Sequence, residues 1–136
     1  MSNIIRLILS VMKLNLAKTQ ILFLFLIFIY SNSTGTSRYF VSNAAELTSK
    51  LSFVQPGDTI IMKSGEWKNQ LLVFNARGTK EKPIYLMAEK GGEVILNGTS
   101  TLRIAGEYLI VDGLKFLNGY SSSGAVIEFR NGSQLS

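Results

Sequence analysis

Gly106-Glu107-Tyr108-Leu109-Ile110-Val111-Asp112-Gly113-Leu114-Lys115-Phe116-Leu117-Asn118-Gly119 holds two short β-rich runs, Tyr108–Val111 and Leu114–Leu117. Asp112-Gly113 joins them, and Gly106 and Asn118-Gly119 bound them. The pattern recurs on both sides, as Val94-Ile95-Leu96 before Asn97-Gly98 and as Val126–Arg130 before Asn131-Gly132. Asn and Gly supply the positive φ that sharp corners need. Short strands punctuated in this way fit either a stacked solenoid or a meander of hairpins.

Upstream of Thr59 the grammar differs. Arg38–Val41 reads as a strand, and a helix is predicted over Asn43–Phe53. Asn43 is a good N-cap residue, and Glu46 three positions on completes a capping-box pattern. Ala44, Leu47, Leu51 and Val54 share one apolar face. Gln55-Pro56-Gly57-Asp58 ends the helix, because Pro cannot continue the ladder and Gly takes the turn. From Thr59 onward the residues predict strands at Thr59–Lys63, Leu71–Phe74, Ile84–Ala88, Val94–Leu96, Leu102–Ile104, Tyr108–Val111, Leu114–Leu117 and Ala125–Arg130. The glycines between them are read as corners. One amphipathic helix followed by uninterrupted short strands fits a parallel β-helix whose first coil is covered by a helical lid.

The N-terminus reads as an export segment. Arg6, Lys13 and Lys18 precede the unbroken apolar run Ile21–Ile29, and Ser31-Asn32-Ser33 offers small residues for cleavage. The run is shorter than the roughly 20 residues of a comfortable membrane span. Residues 1–33 are therefore expected to be a signal peptide and 34–136 the exported domain, with cleavage between Ser31 and Thr36. An uncleaved anchor is the competing reading.

Of 14 basic residues three lie in this leader, whereas all nine acidic ones follow it, so 11 against nine leaves +2. No basic stripe points to nucleic acid. The chain has no cysteine, so stability is expected from the core or from stacking rather than disulfides. It has no histidine either, which removes Ser-His and Cys-His catalysis and His-ligated zinc.

Few motifs carry chemistry. Asn97-Gly98-Thr99 and Asn131-Gly132-Ser133 match the N-glycosylation sequon, but both sit where a corner wants Asn-Gly. Trp67 could stack a sugar, and packing beside a turn is the plainer reading. Asp112 could serve a metal or catalysis, whereas Asp before Gly more often bonds its own turn. Lys80-Glu81-Lys82 and Glu89-Lys90 read as solvated loop charges. Gly91-Gly92 lacks the Lys-Ser/Thr of a phosphate cradle, and no acidic cluster has calcium-loop density.

Residues 39–130 resemble the polysaccharide lyase family that contains chondroitinase B and many alginate lyases. Three blocks carry the likeness. The first is Val41-Ser42-Asn43-Ala44-Ala45-Glu46-Leu47, followed by Gln55-Pro56-Gly57-Asp58, Ile60-Ile61 and Gly65-Glu66-Trp67. The second is Gly78-Thr79-Lys80-Glu81-Lys82-Pro83-Ile84-Tyr85-Leu86-Met87-Ala88, with Val94 and Asn97-Gly98 beyond. The third and most specific is Leu102-Arg103-Ile104-Ala105-Gly106 through Leu114-Lys115-Phe116.

The resemblance implies an all-β, right-handed parallel β-helix with an N-terminal capping helix, of which this chain supplies only the first coils. It implies β-elimination on an acidic polysaccharide, alginate or chondroitin/dermatan sulfate. The family's Lys base, assisting Arg, and Asn and Glu ligands to calcium come from later coils. No residue here matches them, so no catalytic, substrate-binding or metal role is assigned within the chain. Ca²⁺ is expected for the full-length enzyme and not for this fragment. The chain is thus expected to be the N-terminal part of an exported lyase, monomeric when full length and off the membrane after cleavage. A non-catalytic β-helix module that binds polysaccharide or acts as an adhesin is the alternative.

Overall fold

A computed structural model describes Arg6 and residues 35–121 and 124–130. The expected signal peptide, its cleavage site and the second sequon at Asn131 lie outside the described residues. All elements below belong to the compact unit Thr36–Ser136. They are β1 (Arg38–Val41), α1 (Ala44–Leu51), β2 (Thr59–Met62), β3 (Gly65–Lys68), β4 (Leu71–Arg77) and β5 (Ile84–Ala88). Then come β6 (Val94–Gly98), β7 (Thr101–Glu107), β8 (Leu109–Asp112), β9 (Leu114–Gly119) and β10 (Ile127–Phe129).

Every strand pairing is parallel. The strands form three sheets, ordered β1-β2-β5-β8, β3-β6-β9 and β10-β7-β4. From β2 on, three strands in succession go to three different sheets, and the fourth returns to pair with the first. The hairpin reading is overturned: β8 and β9 flank Asp112-Gly113 but lie in different sheets. Thr59 pairs with Tyr85, Gly65 with Val94 and Leu102 with Ile127, a repeat of about 20 to 30 residues.

Alternation of side chains across the pleat turns this register into columns. Val41 stacks on Met62, Ile60 on Leu86 and then Val111, and Trp67 on Leu96 and then Phe116. Leu72 stacks on Leu102 and then Ile127, and Phe74 on Ile104 and then Phe129. Ile60, Met62, Leu72, Phe74, Leu86 and Leu96 are fully buried. Each such side chain contributes about 1.5–3 kcal/mol relative to exposure. Burial fades along the columns, so Val111, Leu114 and Phe116 are half-buried and Phe129 is 83% exposed.

Helix α1 follows the predicted cap with one change. Asn43 Oδ1 accepts the Glu46 N–H at 2.9 Å. The Glu46 carboxylate reaches back to the Ser42 N–H at 2.8 Å and the Asn43 amide at 3.0 Å, rather than to the Asn43 backbone. The Ala44 N–H, another orphan donor, is accepted by Gln70 Oε1 at 3.0 Å. Leu47 is fully buried, and Ala44, Leu51 and Val54 pack on the core beside it. The helix lies against β4 and β1. It stops at Leu51, so the turn Gln55–Asp58 follows the helix end instead of forming it.

Asp58 is buried. Its two carboxylate oxygens accept the Ser37 N–H at 2.7 Å and the Gln55 N–H at 2.8 Å, pinning β1 to the turn before β2. Asp58→Ala would leave both donors without this acceptor. A loss of about 2–4 kcal/mol is expected, since each orphaned donor costs roughly 1–3. Urea unfolding followed by circular dichroism checks it.

Several boundaries differ from expectation, β4 for one running on to Arg77. β3 was not predicted. Gly65 takes φ 135° while opening a strand, and its neighbour Trp67 points inward. Gly98, Gly106 and Gly119 lie within β6, β7 and β9 rather than at corners outside them. Tyr108, expected to start a strand, sits at φ 52° and makes the β7–β8 corner. The last predicted strand shortens to Ile127–Phe129.

Candidate functional site

The three sheets present outer faces of different chemistry. On β1-β2-β5-β8 the outward rows are Arg38, Thr59, Tyr85 and Ile110, and Phe40, Ile61, Met87 and Asp112. Arg38, Thr59, Ile61, Met87, Ala88 and Glu89 line an open groove of about 220 Å³ there. On β3-β6-β9 the outward residues include Glu66, Lys68, Ile95, Asn97 and Lys115. The Asn97 amide donates to Glu66 Oε1, while Asn97 Oδ1 is shut from solvent without a partner.

On β4-β7-β10 one outward row is Val73, Arg103 and Glu128. Arg130 follows β10, and its N–H donates to the Ile104 carbonyl at 2.9 Å. Its side chain grips Glu128 Oε2 twice, from Nη2 at 2.6 Å and from Nε at 2.7 Å. Arg103 Nε stands 3.5 Å from the same oxygen. That contact is an ion pair without hydrogen-bond geometry, and Arg103 Nε is otherwise solvent-excluded and unpartnered. Glu128 is 14% exposed at its side chain, Arg103 22% and Arg130 31%. Partly desolvated charges of this kind interact more strongly than surface pairs.

At the end of the columns an open, mainly apolar depression of about 300 Å³ is lined by Leu102, Ile104, Val111 to Leu114, Phe116, Ile127 and Phe129. Asp112 lies at its rim, and the neighbouring corner is made by Gly113 at φ 77°.

Trp67 is 4% exposed and donates its indole N–H to the Lys63 carbonyl at 3.0 Å. It packs in the core and offers no sugar platform. Asn97 of the first sequon is held in β6, with its amide on Glu66 and its carbonyl accepting the Asn69 and Ser100 N–H groups at 3.2 Å. Corner geometry therefore accounts for that Asn-Gly. Glu89 is more than a solvated loop charge, because its carboxylate accepts the Ser64 N–H at 3.1 Å. Lys90 pairs loosely with Glu93 at 3.6 Å in the open.

The Arg103–Glu128–Arg130 cluster was missed because Arg103 meets the Glu128–Arg130 pair only through the register of β7 with β10. The available signal was two apolar-charged-apolar triplets, Leu102-Arg103-Ile104 and Ile127-Glu128-Phe129, of opposite sign and one repeat apart. Among the described residues no three His, Cys, Asp or Glu side chains come together as a metal site. The calcium of the resembling family has no fitting ligand set on these described residues.

Parallel strands dealt in rotation to three sheets around one apolar core define a repetitive β scaffold. A family model, Chondroitinase B, matches residues 41–135, and the chain belongs to that family. Among solved structures it is 41% identical to a PL6 family alginate lyase, AlyGC, over 66% of this chain and 12% of that one, with a TM-score of 0.64. It is 42% identical to the PL6 family polysaccharide lyase Pedsa3628 from Pseudopedobacter saltans, over 67% of this chain and 21% of that one, again at 0.64. A mannuronic acid specific family 6 lyase from human gut microbiota is 28% identical over 68% of this chain and 22% of that one, at 0.58. The chain thus spans between about an eighth and a quarter of these lyases. No curated protein matches it.

Proposed function

We propose that this chain is the N-terminal portion of an exported polysaccharide lyase that cleaves a uronate-containing polymer by β-elimination. Its strands are the first coils of a right-handed parallel β-helix, and α1 is the cap on the first coil. The carrying observation is 41–42% identity over two thirds of the chain to solved PL6 family lyases, one an alginate lyase. Alginate is therefore the preferred substrate, with chondroitin/dermatan sulfate second.

The chemistry sets what the rest of the enzyme must supply. Removing the C5 proton of a uronate builds negative charge beside a carboxylate that is already negative. The carboxylate has to be neutralised and a base positioned on the proton before the 4-O-linked sugar can leave. Those groups are placed beyond this chain, as is the Ca²⁺ of the complete enzyme. Residues 1–33 are proposed to direct export and then to be removed.

The test compares the 136-residue chain with the product of the extended reading frame, each incubated with alginate and with chondroitin/dermatan sulfate. Ultraviolet absorbance of the unsaturated uronate reports cleavage. The extended product is expected to give calcium-dependent signal and the 136-residue chain none. Activity in the short chain would overturn the placement of the catalytic groups. Silence from the extended product on all three polymers would sink the lyase reading and leave a polysaccharide-binding module.

A further inference from the structure

We infer that Asn118 is a covalent modification site, at which the Asn118-Gly119 pair deamidates to aspartate and isoaspartate while the same pair at Asn97-Gly98 is held inert.

The fold asks for both residues. Asn118 takes φ 49°, a left-handed conformation that Asn tolerates better than most side chains. At Gly119 a Cβ would stand 3.2 Å from the Gly98 carbonyl oxygen, closer than side chains ordinarily pack. These demands set an amide side chain directly before a backbone nitrogen that no side chain shields.

The surroundings leave that nitrogen room to turn. Leu96 pairs with Phe116 and Gly98 with Gly119, so Leu117 and Asn118 together oppose Asn97 alone. Such a bulge interrupts the ladder. Among the described strands β9 has a neighbour on one side only, and Leu117 to Tyr120 are exposed. Local opening here disturbs few contacts. In the reaction the Gly119 nitrogen attacks Asn118 Cγ. A C–N bond forms, the Cγ–Nδ2 bond breaks, and ammonia leaves with the displaced electron pair and a proton. Water then opens the cyclic imide at either carbonyl, giving aspartate or isoaspartate and adding a negative charge in both cases. Isoaspartate also lengthens the main chain by a methylene just before Tyr120, whose N–H donates to the Gly98 carbonyl at 3.0 Å.

Leu96-Asn97-Gly98 repeats the triplet Leu117-Asn118-Gly119, so local sequence favours neither site. Asn97 is half-buried between β3 and β9. Its amide donates to Glu66 Oε1, its Oδ1 is shut from solvent, and its backbone carbonyl accepts the Asn69 and Ser100 N–H groups at 3.2 Å. Ring closure there would break all of these contacts.

The test incubates the whole chain in mildly alkaline buffer and follows each site by tryptic digestion and mass spectrometry. Lys115 and Arg130 bound the Asn118 peptide, Lys90 and Arg103 bound that of Asn97, and Asn131 falls in a third. Asn118 is expected to convert about tenfold faster than Asn97, a barrier difference of about 1.4 kcal/mol. In urea the two rates should agree within about threefold, because only the fold distinguishes them. Glu66→Ala frees the Asn97 amide and should raise its rate about threefold with Asn118 unchanged. Circular dichroism verifies that this variant folds, and if it does not, the parent chain with and without urea carries the test. Equal rates at the two sites in the folded chain overturn the inference. So does an Asn118 that stays intact when folded yet converts in urea, or a tenfold preference that persists in urea.

Discussion

Gly106→Ala is expected to destabilise the domain by about 3–5 kcal/mol, enough to abolish a folded population in a marginal β protein. Two independent effects combine at this position. Gly106 sits at φ 120°, where an L side chain is strained whatever its surroundings. It also pairs with Ala76 across β4 and β7, and a Cβ there would overlap the Ala76 carbonyl oxygen and stand 3.0 Å from the carbonyl carbon. The colliding group is backbone inside the ladder that aligns Phe74 with Ile104, so relief requires moving the register that builds the core. Gly91→Ala is the control, because its Cβ would meet nothing within 4 Å. That change should be neutral or stabilise slightly, through the unfolded state. Urea midpoints for the two variants decide the matter, and equal midpoints would mean that β4 and β7 do not approach this closely.

Gly106 also shows what the sequence conveys and what it hides. A glycine between β-rich runs reads as a corner, and the residue does take a conformation that favours glycine. Its position inside β7 depends on the close approach of β4, which only the fold creates. The helix was legible because its signals are local: Asn43, Glu46 and the spacing of Ala44, Leu47 and Leu51 all lie within ten residues. The alternating strands were legible for the same reason. β3 was hidden because Gly65-Glu66-Trp67-Lys68 has one inward apolar residue, supported from the next coil by Leu96. Parallel stacking could not be told from hairpins at Asp112-Gly113, since both need the same left-handed residue at the corner. Family membership was readable from the three sequence blocks, which carry the turn and column residues of successive coils. The arginine cluster was not, since Arg103 meets Glu128 only once β7 and β10 are in register.

Leu47→Asp is expected to have the other large effect, removing cooperative unfolding at ambient temperature. Leu47 is the one residue of α1 that is fully buried, and it belongs to the same core as Val41, Leu72 and Phe74. Truncation to Ala would already cost about 2–5 kcal/mol through the lost contacts and the cavity. Aspartate adds the penalty of a charge with no cationic partner in an apolar environment, several kcal/mol more unless the helix lifts away. Lifting removes the Gln70 bond to Ala44 and uncovers the side of β4 on which α1 lies. An uncovered apolar edge of parallel strands then favours association between copies. Ala45→Asp, exposed in the first helical turn where an acid complements the helix dipole, should change stability by no more than about 0.5 kcal/mol. Size-exclusion chromatography and thermal melts on both variants separate the two cases. A monomeric Leu47→Asp protein with an unshifted, sharp transition would mean that the strands fold without α1, and that the helix is an appendage rather than part of the core.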